Sequence, residues 1–423
     1  MREDKTIKVR FIRCKISKKC ICPVCGMKQV PRVNKRYIKK VKTINVEAPE
    51  ILVIERIQVL CTNPSCARKT FVLPTPGIEK YQRVTDRVKR EALDKNVLDN
   101  MPYEKTAASL KRLNTSGSKS SIDRWKQSEA ERYSFRDIIA QLGFSGVLSI
   151  DEYKPKRARH YDLIAGDAVQ WHILYLETLP LSPQRAGTMP RGSVQQFCEH
   201  VKKLGIEPRA VIVDLLAAYP KQVWKVWPGI ILQYDYYHVI QAIHRHFNKA
   251  LLAFLRSLVG KEMYHHRAEL WEHRWRFLTN MDNWTKKDHD IIPELLEMYA
   301  GTPVEQVLLF KEALDTIFNK SRNRTDAYKA RDSIFQEQWW KGSIHLVKAM
   351  KFLMDNRFEY MVTYLSHPDI PRCGNIENMI REWRIAEKVR FGFKTGRGRQ
   401  NHLKLYQIRK YLGKSSIKFG KGV

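Results

Sequence analysis

The chain has 423 residues, enough for two or three domains, and 43% hydrophobic with 10% aromatic content excludes a disordered polar chain. Lys and Arg number 76 against 44 Asp and Glu, a formal net charge of +32, which points to a polyanionic partner. No long uncharged apolar segment is present, so the polyanion is expected to be nucleic acid rather than a membrane surface.

The first residues, MREDKTIKVRFIRCK, carry scattered charge and no apolar stretch of the kind a signal peptide needs, and a cytoplasmic protein is expected. In a reducing compartment, close-spaced cysteines point to a metal more than to disulfides. Residues 22 to 25 read CPVC and residues 61 to 66 read CTNPSC, separated by an extended segment over 30 to 60. Each pair can sit on a tight turn and supply two thiolates to one tetrahedral ion, so Cys22, Cys25, Cys61 and Cys66 are the expected Zn²⁺ ligands of a zinc ribbon. Cys20 lies close enough to substitute for a neighbour, Cys14 is expected to stand outside the set, and Cys198 and Cys373 read as buried small hydrophobes. Residues 1–80 hold 19 basic against 6 acidic side chains, a basic setting suited to a phosphate backbone.

A helical pattern runs from Val84 to about Leu98 and breaks at Met101 and Pro102; a short helix follows from Glu104 to Leu113. After a turn over Asn114 to Gly117, a third helix starts near Ser118. The order resembles a helix-turn-helix over 81–135, with Ser118, Lys119, Ser120, Asp123, Arg124 and Lys126 on or near the recognition helix.

Near residue 146 the periodicity changes from helical to strand-like, giving GVLSID, YDLIAGDA and HILYLET as a meander. A helix from about Gly192 to Leu204, the strand AVIVD, a helix over Ala217 to Val226 and the strand GIILQYD complete the pattern of a ribonuclease H-like α/β core. In that fold Asp151 and Asp214 meet near adjacent strand ends, where two carboxylates repel unless a hard cation such as Mg²⁺ or Mn²⁺ lies between them. Glu377, near the start of the helix in CGNIENMIREWRIAEKVRFGF, is the third carboxylate. About 140 residues separate Asp235 from Glu377 and read as an all-α insertion over 246–370, with Trp271, Trp275 and Trp284 expected in its core. His265, His266 and His273 form no convincing metal set. Beyond Glu377 the chain has 13 basic against 2 acidic residues, and KTGRGRQ reads as a flexible stretch whose Lys394, Arg397 and Arg399 contact DNA phosphates.

The order of zinc ribbon, helix-turn-helix, SIDE, VIVD, Asp235-x-x-His238 and Asn-x-Glu377, with Phe391, Gly392 and Phe393 downstream, resembles the ISL-three family of insertion-sequence transposases over nearly the whole chain. Asn378 stands where that family usually has Gly, and Glu382 interrupts its basic run. The resemblance implies a DNA transposase with Asp151, Asp214 and Glu377 as a catalytic metal-binding triad, and Asp235 and His238 in supporting roles. It also implies five segments: the ribbon over 1–80, the helix-turn-helix over 81–135, the core over 136–245 and 371–423, and the insertion between them. The expected partners are double-stranded DNA, as terminal inverted repeats and target, and further copies of the chain. A transposase-derived regulator that binds DNA without cutting it is the alternative.

Overall fold

The computed structural model describes residues 7–75, 82–154, 160–180, 192–389, 393 and 395–413. They fall into two compact units, Met1–Gly143 with Arg381–Val423, and Phe144–Ile380. The segment over 371–423 is thus divided between the units at Arg381, inside a helix.

The first unit opens with strands β1 (Lys8–Ile12), β2 (Cys20–Ile21), β3 (Lys28–Gln29), β4 (Arg32–Thr43), β5 (Glu50–Leu60) and β6 (Thr70–Val72). β5 is central, antiparallel to β4 and β6 and parallel to β1, while β2 and β3 form a small hairpin. The extended segment expected over 30–60 is therefore a long hairpin. Alternation along it sends Val41, Leu52 and Ile54 into one buried cluster and leaves the Lys-rich middle of β4 exposed.

Helices α1 (Asp86–Val97), α2 (Tyr103–Arg112), α3 (Lys119–Ala130) and α4 (Phe135–Leu142) follow. Val88, Ala92, Leu110 and Ile122 bring the first three together, and Gly117 lets the α2–α3 turn pass close to Leu110 and Trp125. Ser118 caps α3 by accepting the Ser121 N–H at 3.1 Å.

The second unit holds β7 (Val147–Tyr153), β8 (His160–Asp167), β9 (His172–Pro180), α5 (Ser193–Lys203), β10 (Ala210–Val213), α6 (Ala218–Val226) and β11 (Ile231–Tyr234). Its five-stranded sheet has the order β11-β10-β7-β8-β9, with β7, β8 and β9 antiparallel and β10 and β11 added in parallel on the other side of β7. Helices α7 (Tyr236–Ser257), α8 (Tyr264–His273), α9 (Lys286–Met298), α10 (Pro303–Asp315), α11 (Arg324–Glu337), α12 (Ile344–Leu353) and α13 (Phe358–Met361) fill the long connection to α14 (Ile376–Val389). Among the described residues, no helix is long and apolar enough to cross a membrane.

Two expectations fail here. Trp271 and Trp275 are 51% and 54% exposed rather than core, and the Arg274 guanidinium lies between them, 3.8 and 4.8 Å from their ring centres. Helical spacing marks a stripe but not whether another element covers it. KTGRGRQ is the other case: α15 (Gly396–Tyr406) begins inside it, capped by Thr395, which accepts the Gly398 N–H at 3.0 Å. α15 belongs to the first unit, where Asn401 donates to Gln127 at 2.5 Å and the buried Arg409 donates to Asp94 at 2.6 Å.

The Arg409 side chain is 1% exposed, so Asp94→Ala leaves a buried guanidinium without its closest counter-charge. The expected loss is about 3 kcal/mol in urea unfolding; a change below about 0.5 kcal/mol, the range of ordinary surface substitutions, contradicts this role for the pair.

Candidate metal centres and nucleic-acid interface

The acidic site follows from strand register. β10 runs parallel to β7 with Val213 beside Ile150, so Asp214 and Asp151, each the next residue, emerge side by side. Ligand atoms of Asp151, Asp214 and His238 lie within 4.8 Å of one another, with His238 Nδ1 3.6 Å from Asp214 Oδ1. Asp151 is buried and accepts the Glu152 N–H at 2.7 Å; the Asp214 side chain is 39% exposed and accepts the Leu215 N–H at 2.5 Å. Burial pushes the Asp151 carboxyl up to about 7 against the pull of the Glu152 N–H and His238, and the charges of Asp214 and Glu377 push the same way. Glu377 is therefore close enough to be felt electrostatically, although it is exposed and outside the cluster formed by Asp151, Asp214 and His238.

Alternation on β7 separates two faces. Ile150 and Glu152 point toward α6, where Glu152 accepts the Tyr219 hydroxyl at 3.2 Å and burial raises the pKa of both groups. Ser149 and Asp151 point the other way, toward the segment leading into α14. A Cβ on Gly374 would lie 1.9 Å from Ser149 Oγ, so only glycine lets the backbone pass there. Gly166, directly across from Ser149 on β8, receives Met379 of α14 in the same way.

What holds that segment is a set of bonds from the end of β11. Gln233 is fully buried and its Nε2 donates to the Pro371 and Arg372 carbonyls at 2.7 and 2.9 Å. The Tyr236 N–H donates to Arg372 at 3.1 Å. Asp235 uses one oxygen to cap α7, accepting the Tyr237 N–H at 2.8 Å, and the other to accept the Gly374 N–H at 2.8 Å. Asn375, at φ +53°, turns the chain, and its carbonyl accepts the Asn378 and Met379 N–H groups. α14 therefore starts at Ile376, with Glu377 in its first turn, where the helix end favours a carboxylate, and with Asn378 inside the helix. Asp235 thus ties the cap of α7 to the backbone that leads into α14. Sequence reading missed Gln233, Gly374 and Ser149; a buried amide in the otherwise apolar strand GIILQY is the signal that marks the first.

The cysteine centre lies in the first unit. The sulfurs of Cys22, Cys25, Cys61 and Cys66 fall within 4.8 Å of one another, with Cys22 to Cys66 at 3.9 Å and Cys25 to Cys61 at 3.7 Å. Those gaps are too long for disulfides. They match a tetrahedral ion, whose Zn–S bonds of about 2.3 Å set sulfur separations near ~3.8 Å. The N–H groups of Cys25 and Val24 hold the Cys22 thiol down at about 6. At Cys61 the Asn63 N–H works against burial and the neighbouring sulfurs, which win and push it up to about 12. Four thiolates this close ionise together only around a cation, and the donor set fits zinc. Cys20 is buried beside the cluster and Cys14 is packed against it, both outside the four-sulfur set.

The side chains named for DNA contact divide. Ser118, Lys119 and Arg124 sit on the exposed start of α3, with Lys119 paired to Glu104 and Arg124 Nε donating to the Ser120 carbonyl at 3.3 Å. Arg397 is exposed and paired with Glu131. Lys126 is 1% exposed, with its ammonium 5.7 and 5.6 Å from the Tyr103 and Phe393 ring centres, and the Arg399 side chain is 3% exposed and paired with Glu387. Both point inward and make no surface for a phosphate, which corrects their assignment. Lys394, Phe391 and Gly392 lie outside the described residues.

The family model of the ISL-three type DDE transposases, described as a transposase, matches residues 148–397, more than half of the chain. The chain belongs to this transposase family. Membership implies a divalent metal cofactor and DNA as partner, and the transposase carries the carboxylates of its strand ends inside the matched region. Among solved structures, the Drosophila P element transposase strand transfer complex is similar at 11% identity and a TM-score of 0.37, covering 77% of this chain and 91% of that chain. No curated protein matches the transposase.

Two outcomes follow from the centres. Between the ordinary carboxyl value near 4 and about 7, folded Asp151 keeps a proton that the unfolded chain has released, so without metal this group makes stability fall as pH rises through that window. At pH 8 in EDTA, Asp151→Asn is expected to melt higher than the wild type and to lose the wild type's upward shift with Mn²⁺; a lower melting point, or an undiminished Mn²⁺ shift, contradicts the geometry. Metal analysis of purified protein is expected to find zinc in the wild type and a loss of most of it in Cys61→Ser and in Cys66→Ser, whereas zinc-free wild-type protein would remove the ribbon centre.

Proposed function

We propose that the transposase cuts DNA at the ends of an insertion sequence and joins the freed 3′ ends to target DNA, using Asp151, Asp214 and Glu377. The observation that carries this reading is the pairing of Asp151 and Asp214 at adjacent parallel strand ends, with Asp151 pushed up to about 7 by burial and by the charges of Asp214 and Glu377, so that a cation would favour its ionised form. The sheet order, a meander extended by two parallel strands, supports a ribonuclease H-like core, and the three-helix cluster with the capped α3 supports a helix-turn-helix. The ribbon with its structural Zn²⁺ and this helical cluster would bind the terminal inverted repeats, through Ser118, Lys119, Arg124 and Arg397 among others.

The oxygen ligands of the triad suit Mg²⁺ or Mn²⁺, which when bound supplies an activated attacking oxygen and stabilises the leaving one. The residues do the rest. Asp214, the more exposed carboxylate, faces the side from which phosphate and water arrive, and the buried Asp151 anchors the strand side. Asp235 and Gln233 would hold the start of α14 so that Glu377, which lies outside the cluster of Asp151, Asp214 and His238, can be added to it when a cation binds. His238 sets the charge balance beside Asp214. In the first step water attacks phosphorus at the element end, the P–O3′ bond breaks, and a 3′ hydroxyl is released; in the second that hydroxyl attacks a target phosphate and displaces another 3′ oxygen. Bringing two ends together requires at least two copies of the chain, and a chromosome-bound substrate places the reaction in the cytoplasm.

The test is strand cleavage and transfer on duplexes carrying the element's own ends, with Mg²⁺. Wild type is expected to release and join the 3′ ends, and Asp214→Asn to lose at least about 100-fold, the scale on which a lost transition-state charge contact acts. Equal activity in the two sinks the triad; no cleavage by wild type with intact end binding identifies a regulator that binds without cutting.

A further inference from the structure

The zinc-bearing hairpin carries a cationic groove of about 690 Å³ whose lining includes Lys35, Tyr37, Arg56, Gln58, Arg68 and Lys69. It follows from register. Lys35 lies across from Gln58 and Tyr37 across from Arg56, so β4 and β5 put all four side chains on one face. Farther along, the same face carries the apolar Val41, Leu52 and Ile54, so it changes from core to charge along its length. Arg36 and Glu55 form their 2.8 Å ion pair on the opposite face, and no acidic side chain lines the groove among the described residues. The zinc knuckles build one end: Pro23 lies between two cysteine ligands, and Arg68 follows Cys66 and donates its N–H to the Cys66 sulfur at 3.4 Å.

We propose that this groove is a DNA-backbone site, in which the exposed Lys35, Arg68 and Lys69 at the rim take successive phosphates of a duplex, with Tyr37 and Gln58 as neutral hydrogen-bonding groups and the buried Arg56, which donates to Thr75 Oγ1 at 3.1 Å, as part of the floor. Phosphate contacts of this kind position a protein on DNA without reading its sequence. The inference rests on the reading of the chain as a DNA-acting transposase. It assigns a backbone-positioning role to the ribbon and leaves sequence discrimination to other elements.

The experiment measures binding of the full chain to a fluorescent duplex of arbitrary sequence across a salt series. Lys35→Gln, Arg68→Gln and Lys69→Gln are combined in one variant; all three are exposed, so the fold is retained. The expected result is a loss on the order of 10-fold in affinity at moderate salt, and a slope of log affinity against log salt that is shallower by roughly 2 to 3, each phosphate contact contributing about 0.9. A control that removes the same charge elsewhere, Lys203→Gln with Lys221→Gln and Lys225→Gln, is expected to keep the wild-type slope. Wild-type affinity and slope in the groove variant, or equal losses in groove and control variants, overturn the groove while the DNA reading stands. Tighter wild-type binding to single-stranded RNA than to the duplex overturns the assignment of DNA as its ligand. Failure of the wild type to bind the duplex at any salt overturns both.

Discussion

The parallel pairing of β10 with β7 is the constraint from which the acidic site derives. It sets Asp214 beside Asp151 at one sheet position, with Asp151 under a cover that excludes water. Two carboxylates in that arrangement are unfavourable by themselves: burial has already raised Asp151 to about 7, and Asp214 and Glu377 add like charge. A protein gains nothing in stability from such a cluster. On the proposed reading a bound divalent cation offsets this cost, as at sites where chemistry takes precedence over folding stability.

Because the third carboxylate arrives from far along the chain, the site depends on a second constraint. Between β11 and α14 the chain makes a long excursion through α7 to α13, and the proposed role of Glu377 requires its return to be set closely. Gln233, Asp235 and Tyr236 do this through the backbone of residues 371–374, and Gly374 is the residue small enough to let that backbone rest on Ser149.

How much was legible in the sequence follows the range of the interactions. CPVC and CTNPSC could be read because a knuckle is local chemistry, and Asp151 and Asp214 because period-two alternation and strand ends are local patterns. Of the two departures near Glu377, Asn378 has a local meaning, lying inside the helix, whereas Glu382 takes its partners Tyr406 and Lys410 from α15 and the turn after it. What escaped was decided by residues distant in sequence. Lys126 and Arg399 look like surface cations until aromatic rings and Glu387 cover them, and the Gln233 bonds span 138 and 139 residues. Trp271 and Trp275 follow helical spacing, which is silent about whether a neighbour exists on that side.

One cation held by Asp151, Asp214 and Glu377 together is the arrangement we propose. Replacing Mg²⁺ with Fe²⁺ and adding ascorbate and peroxide generates hydroxyl radicals at the metal, which cut the nearest backbone, and mass spectrometry locates the cuts. Cleavage is expected next to Asp151, Asp214 and Glu377, suppressed by excess Mg²⁺. Cuts at the two strand ends with none near residue 377 would contradict it.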